Sequence, residues 1–202
     1  MTDPPRIEPL EAHTFNEVCY YLAVTSCQAC GKGPWEIDHS ELPDPATRTT
    51  TVEAHCRNCA GRRSFAFTCR HDSPREGPEA ETINPLAEPS RIIDLAQWLS
   101  LFYLLAESAA ADAAPTATRQ KGYQMALCLA EALKFYGDDE LPPESAFFTA
   151  ATADIFRRHP ERFARQKLRD IQAKLPSLSA MAQRLDRERR ATKKRWWRFW
   201  QK

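Results

Sequence analysis

The sequence predicts an α+β protein: a small β module followed by an all-α bundle of about five helices. Three observations carry this. Short runs of β-branched and aromatic residues occur before residue 70, and after residue 91 the apolar residues recur at three- and four-residue steps. A charged, proline-rich segment separates the two patterns. Four of the seven cysteines form two Cys-x-x-Cys pairs beside the short runs, and neither pair lies in the helical half. The expected organisation is a cysteine-bearing module with a polar N-terminal extension over 1–71, a Pro-rich linker over 72–90, a helical bundle over 91–176, and a C-terminal helix with a basic-aromatic tail over 177–202.

In chain order, Tyr20 to Thr25, Thr49 to Ala54 and Ser64 to Thr68 read as strands, because β-branched and aromatic side chains suit a pleated, half-buried surface. Pro74, Gly77, Pro78, Pro85 and Pro89 disfavour any regular element between Asp72 and Ser90. Ile92, Leu95, Leu99, Phe102 and Ala106 then mark one helix. A second runs from about Thr118 to Tyr136 and stops at Gly137, antiparallel to the first. Pro142 and Pro143 introduce a third over Glu144 to Arg158, and Pro160 opens a fourth carrying Phe163, Leu168, Ile171 and Leu175. Ser177 is placed to cap a fifth that reaches into the tail.

At 43% hydrophobic and 27% charged, the 202-residue chain can bury a real core, which excludes wholesale disorder. Its first ten residues are acidic and proline-rich, unlike a secretory signal, so the expected compartment is the cytoplasm. The longest apolar stretch, Ile92 to Ala106, is shorter than the roughly 20 residues a membrane span needs. The formal charge of +1 hides a polarity: residues 1–60 hold four basic against nine acidic residues, and residues 184–202 hold nine basic against two acidic.

The cysteine motif reads Cys27-Gln28-Ala29-Cys30-Gly31-Lys32-Gly33 and Cys56-Arg57-Asn58-Cys59-Ala60-Gly61. Two residues between thiolates let one short turn aim both sulfurs at a single ion, and glycine after the second cysteine permits the tight turn. In a cytosolic chain this spacing favours metal over disulfides. Free core cysteines are the plain alternative, and an iron site the second. His55 and Cys69 lie near enough in sequence to join as ligands or neighbours, while Cys19 and Cys128 occupy apolar positions expected in the core.

Residues from about Tyr20 to Cys69 resemble the zinc-ribbon superfamily. The resemblance implies one structural Zn2+ held by Cys27, Cys30, Cys56 and Cys59, with each knuckle at the tip of a β-hairpin. The gap from Gly31 to His55 is 25 residues, longer than the roughly 15–20 usual for the pattern, and the Pro-containing loop Leu42 to Arg48 is the place to absorb the excess. Four sulfurs close the coordination sphere, so such a metal holds structure and performs no reaction.

No glycine-rich phosphate loop, dinucleotide fingerprint or nucleophile elbow is present, and Asp38-His39-Ser40 places triad residue types consecutively, which does not assemble a triad. The chain therefore reads as non-enzymatic, with no small-molecule substrate evident. Arg158, Arg162, Arg165 and Arg169 recur at helical steps, with Pro160 interrupting the first, and the tail carries Lys193, Lys194, Arg195, Trp196, Trp197, Arg198 and Trp200. Arg162, Arg165, Arg169 and the tail are candidate contacts for an anionic partner, against the plainer reading of a solvated charged face and aromatics folded onto the bundle.

The expected function is a zinc-binding adaptor that acts by binding a protein. An accessory protein gripping nucleic acid through the arginines and the tail is the first alternative. A peripheral membrane protein held on anionic lipid by the tail is the second. The acidic balance of residues 1–60 argues against direct phosphate contact by the cysteine module.

Overall fold

A computed structural model describes residues 8–41, 43–44, 46–72, 82–111 and 114–200; the side chains of 116, 189 and 192–200 fall outside the description. The N-terminal half contains a four-stranded mixed sheet in the order β1-β4-β3-β2, and about five helices follow it.

β1 (Leu10–Ala12) pairs parallel to β4 (Arg62–Cys69), and β2 (Trp35–Ser40) and β4 flank β3 (Thr49–Cys56) in antiparallel register. Alternation in β3 and β4 turns Thr50, Val52, Ala54, Phe65 and Phe67 inward, so one face of the sheet needs a cover. α1 (Phe15–Val24) supplies it.

The strand expected over Tyr20 to Thr25 is thus a helix. Thr14 caps it, its hydroxyl accepting from the Glu17 amide at 3.4 Å, and Val18 and Leu22 are buried four residues apart on its inner face. That periodicity and cap outweigh the β-preference of the tyrosines and Val24. Tyr21 sets its ring against Phe67 at 5.6 Å, while Tyr20 lies 5.7 Å from Trp98 in the helical half.

α2 (Leu95–Ala110) begins at Asp94, which forms a capping box with Gln97, both bonds at 2.8 Å. α3 (Pro115–Leu133) starts on proline and packs antiparallel to α2, the Lys121 ammonium donating to the Ser108 carbonyl at 3.1 Å. The expected helix over Glu144 to Arg158 is divided into a 3-10 turn, Glu144–Ala146, and α4 (Ala150–Arg158). The division comes from a new cap: Thr149 and Thr152 bond reciprocally, and the second carboxylate oxygen of Asp94 accepts from the Thr152 hydroxyl at 2.6 Å.

The helix expected from Pro160 is divided too, into a 3-10 turn, Pro160–Phe163, and α5 (Arg165–Lys174), because Ala164 is extended. Phe147, Phe156 and Phe163 meet at ring separations of 4.7 to 5.6 Å and fix this corner. α6 (Leu178–Trp200) is capped by Ser177, which accepts from the Ala180 amide at 3.3 Å, and lays Leu185 into the core.

The buried apolar cluster is continuous from Val52 and Phe67 in the sheet, through Ile83, to Trp98 and Leu129 in the bundle. Residues 82–93 form no helix or strand, yet Ile83 and Asn84 are buried there and the Ile83 carbonyl accepts from the Thr14 hydroxyl at 2.5 Å. No helix among the described residues is long and apolar enough to cross a membrane.

Candidate metal centre

The second cysteine pair lies where β3 turns into β4. Cys56 is the last residue of β3; its amide donates to the Gly61 carbonyl at 2.8 Å, and the Ala60 amide returns to the Cys56 carbonyl at 2.8 Å. The first pair repeats this pattern: the Cys27 amide donates to the Lys32 carbonyl, and the Gly31 amide to the Cys27 carbonyl at 2.8 Å. This loop hangs between α1 and β2, so only the second knuckle stands at a hairpin tip, and the expectation of two hairpins is corrected by the helix that replaces the first strand.

Both loops need a left-handed residue directly after the second cysteine. Gly31 has φ +70° and meets that need without strain; Ala60 has φ 56° and bears the steric cost of its Cβ. The expected role of glycine in the turn therefore holds in the first knuckle, whereas Gly61 comes one position late. Gly61 has another use, since a Cβ there would stand 3.4 Å from the Cys59 sulfur. Gly33 is held more tightly, a Cβ there meeting the Thr25 carbonyl at 3.0 Å.

The two loops bring all four sulfurs within 4.8 Å of one another, with Cys27 to Cys59 and Cys30 to Cys56 each at 3.7 Å. A tetrahedron of thiolates with metal–sulfur bonds of about 2.3 Å has edges of about 3.8 Å, so the spacing suits one ion. It is far from the roughly 2.05 Å of a disulfide. Cys27 and Cys56 are buried, Cys30 half-buried and Cys59 exposed, which places the centre at the rim of the sheet.

The Lys32 amide donates to the Cys30 sulfur and draws its pKa down to about 7. The Gly61 amide acts the same way on Cys59, but the crowding sulfurs of Cys30 and Cys27 prevail and push that thiol up to about 11. Four thiols this close repel one another as anions; a divalent cation resolves the conflict by taking up the charge and displacing the protons. An all-sulfur set of four resembles a structural metal site, not a catalytic centre, because it offers water no open position.

His55 and Cys69 stand outside the cluster. His55 Nδ1 pairs with Asp38 at 2.7 Å across β2 and β3, beside the irregularity in β2 between Ile37 and His39, which also commits the first member of Asp38-His39-Ser40. Cys69 is buried in β4 opposite Ala12, and burial pushes its thiol up to about 11. Cys128 is fully buried, as expected; Cys19 is not core but lies on the exposed side of α1. The excess length of the cysteine gap is taken up between β2 and β3, where the Asp44 carboxylate accepts from the Ala46 and Thr47 amides at 2.7 and 3.0 Å; Leu42 and Pro45 of that loop lie outside the described residues.

The arginines do not form one helical stripe. Arg158 ends α4, Arg162 sits in the 3-10 turn, and Arg165 and Arg169 belong to α5, with extended Ala164 between the last two elements. The backbone of 193–200 continues α6, but the side chains of Lys193, Lys194, Arg195, Trp196, Trp197, Arg198 and Trp200 lie outside the described residues.

Sequence reasoning missed an ionic cluster at the end of β1, built on the buried pair His13 and Glu17 and reaching the surface through Glu88, Arg70 and Glu11. His13 contacts Glu17 at 3.0 Å and Glu88 at 3.2 Å, and Arg70 joins Glu88 to Glu11 at 3.0 Å each. Burial opposes the charged imidazole of His13, but Glu17 and Glu88 outweigh it and raise its pKa. Only a Thr-x-x-Glu capping pattern, Thr14 to Glu17, signalled that this stretch was helical. Comparison with protein-family models, with curated protein sequences and with solved structures yields no match.

Proposed function

We propose that this chain is a non-enzymatic zinc-binding adaptor, in which Cys27, Cys30, Cys56 and Cys59 hold one structural Zn2+ and the protein acts by binding a macromolecular partner, in first place another protein. The observation that carries the reading is the convergence of four sulfurs from two similarly bonded knuckles at the edge length of a tetrahedral thiolate site. When bound, zinc would supply charge neutralisation and a cross-link between the α1–β2 loop and the β3–β4 hairpin, and no reactive water. The adaptor role is supported by the closed donor set and by exposed apolar residues on the helices, among them Tyr103, Leu104 and Ile155.

Native mass spectrometry with element analysis, on wild type and on Cys27→Ser and Cys56→Ser, tests the metal. One zinc per chain, absent from both variants, is expected. Iron in its place would change the ion and the redox properties, and no metal in reduced protein would overturn the reading. Removing residues 193–202 separates the rival partners: tail-dependent pelleting with anionic vesicles, or oligonucleotide binding that falls steeply with salt, would favour the membrane or nucleic-acid alternative.

A further inference from the structure

We propose that the groove between α2, α4, the Pro160–Phe163 turn and α5 is a docking site for an acidic peptide segment of a protein partner, one that presents a large apolar side chain between carboxylates. The inference rests on the adaptor reading and names the chemistry of the partner. The groove has a volume of about 490 Å³, within the roughly 300–1,000 Å³ of sites that enclose ligands. Leu99 and Phe163, both buried, form its floor, and Tyr103 and Ile155, 47% and 44% exposed, form its walls. These two walls are apolar groups left in water, and an apolar side chain between them would bury both.

The rim sets the charge of the occupant. Arg162 and Lys167 line the groove, and among the described residues no carboxylate does. Among the described residues neither cation has an ion-pair partner, whereas nearby Arg157 is engaged by Asp154 at 2.8 Å and Glu144 at 3.7 Å. The charged side chains that line the groove are therefore both cationic, and a carboxylate on the occupant is their natural counterpart. The floor is already rigid: the Tyr136 hydroxyl donates to the Phe163 carbonyl at 2.7 Å, and the rings of Phe147 and Phe156 clamp Phe163. Tyr103 is the one exposed ring in the groove, which offers no row of faces on which successive bases could stack, so a peptide suits it better than single-stranded nucleic acid.

The test is to pan the full zinc-loaded chain against a phage-displayed random dodecapeptide library and to titrate the enriched peptides, fluorescein-labelled, by anisotropy. Enriched peptides should carry Leu, Phe or Trp flanked by Asp or Glu. Their affinity should fall at least about tenfold in Arg162→Glu with Lys167→Glu, and in Tyr103→Ala with Ile155→Ser. It should persist in Arg162→Lys with Lys167→Arg, and in Arg187→Glu, an exposed position of α6 away from the groove, with circular dichroism and melting confirming that each variant folds. No enrichment, enriched peptides without acidic residues, indifference to the charge reversals, or an oligonucleotide that binds in their place and is lost in the same variants would each overturn the proposal. Zinc content is measured on the same samples: a metal-free chain that binds peptides sinks the metal reading alone, and a zinc-loaded chain that binds none sinks the groove alone.

Discussion

The two cysteine loops have the same hydrogen-bond plan and different supports. In each, the first cysteine's amide reaches a carbonyl five residues on, its carbonyl receives an amide four residues on, and the residue after the second cysteine is left-handed. The hairpin loop is held at both ends by paired strands. The other is held by a helix on one side and an edge strand on the other. A loop clamped by a sheet can carry a strained alanine at the left-handed position, while the loop with the looser support has glycine there. The difference shows that one hydrogen-bond plan can be reached with the strain placed on one side only.

Breaking the shared ligand set is the largest perturbation. Cys27→Ser and Cys56→Ser should each abolish metal binding and lower the unfolding midpoint sharply, since the free energy of a structural metal is folding free energy, on the order of 10 kcal/mol in zinc-finger peptides; zinc retained in both variants would place the ion elsewhere, and no zinc even in wild type would show that the sulfurs serve packing alone. Chelation of wild type should imitate both variants, read by the loss of protection from hydrogen exchange in β2, β3 and the two loops.

Smaller substitutions sharpen the contrast between the loops. Gly33→Ala forces a Cβ against a backbone oxygen at 3.0 Å and should cost about 1–3 kcal/mol, whereas Gly61→Ala meets only the Cys59 sulfur at 3.4 Å and should show its effect chiefly as weaker metal retention. Gly31→Ala meets nothing within 4 Å, so its cost of about 1–2 kcal/mol comes from φ alone. Ala60→Gly should have the opposite sign, stabilising by about 0.5–1 kcal/mol once the added freedom of the unfolded chain is subtracted. Denaturant titrations of the pair read both; equal signs would mean that the two left-handed turns are not equivalent. Glu36→Gln, which removes the exposed partner of Arg57 at 3.6 Å, should change stability by less than about 0.5 kcal/mol.

The four-cysteine cluster was legible because paired thiols at a two-residue spacing are a chemical signature independent of the surrounding fold. β3, β4 and the amphipathic helices were legible through their periods. The first helix was hidden by composition: Tyr20, Tyr21 and Val24 suggest a strand until Thr14 is recognised as its cap. β2 has only Trp35 and Ile37 turned from solvent, and its remaining side chains are polar, so it lacks an alternating signal. Thr149 and Thr152 divided one expected helix because a reciprocal hydroxyl cap needs no glycine or proline to announce it. The burial of Glu17 and Glu88's reach to His13 depend on contacts between residues some 70 apart, which local pattern does not encode.

α1 begins in the ionic cluster at the end of β1, ends at the threshold of Cys27, and on the way sets Tyr21 on Phe67 and Tyr20 on Trp98. One short rod is therefore a shared wall of two compartments. Thermodynamic reciprocity would attach to such a wall if the four sulfurs hold an ion: any firming of α1 against Trp98 that favoured the ion would be returned, as the same coupling free energy, from the ion to α2.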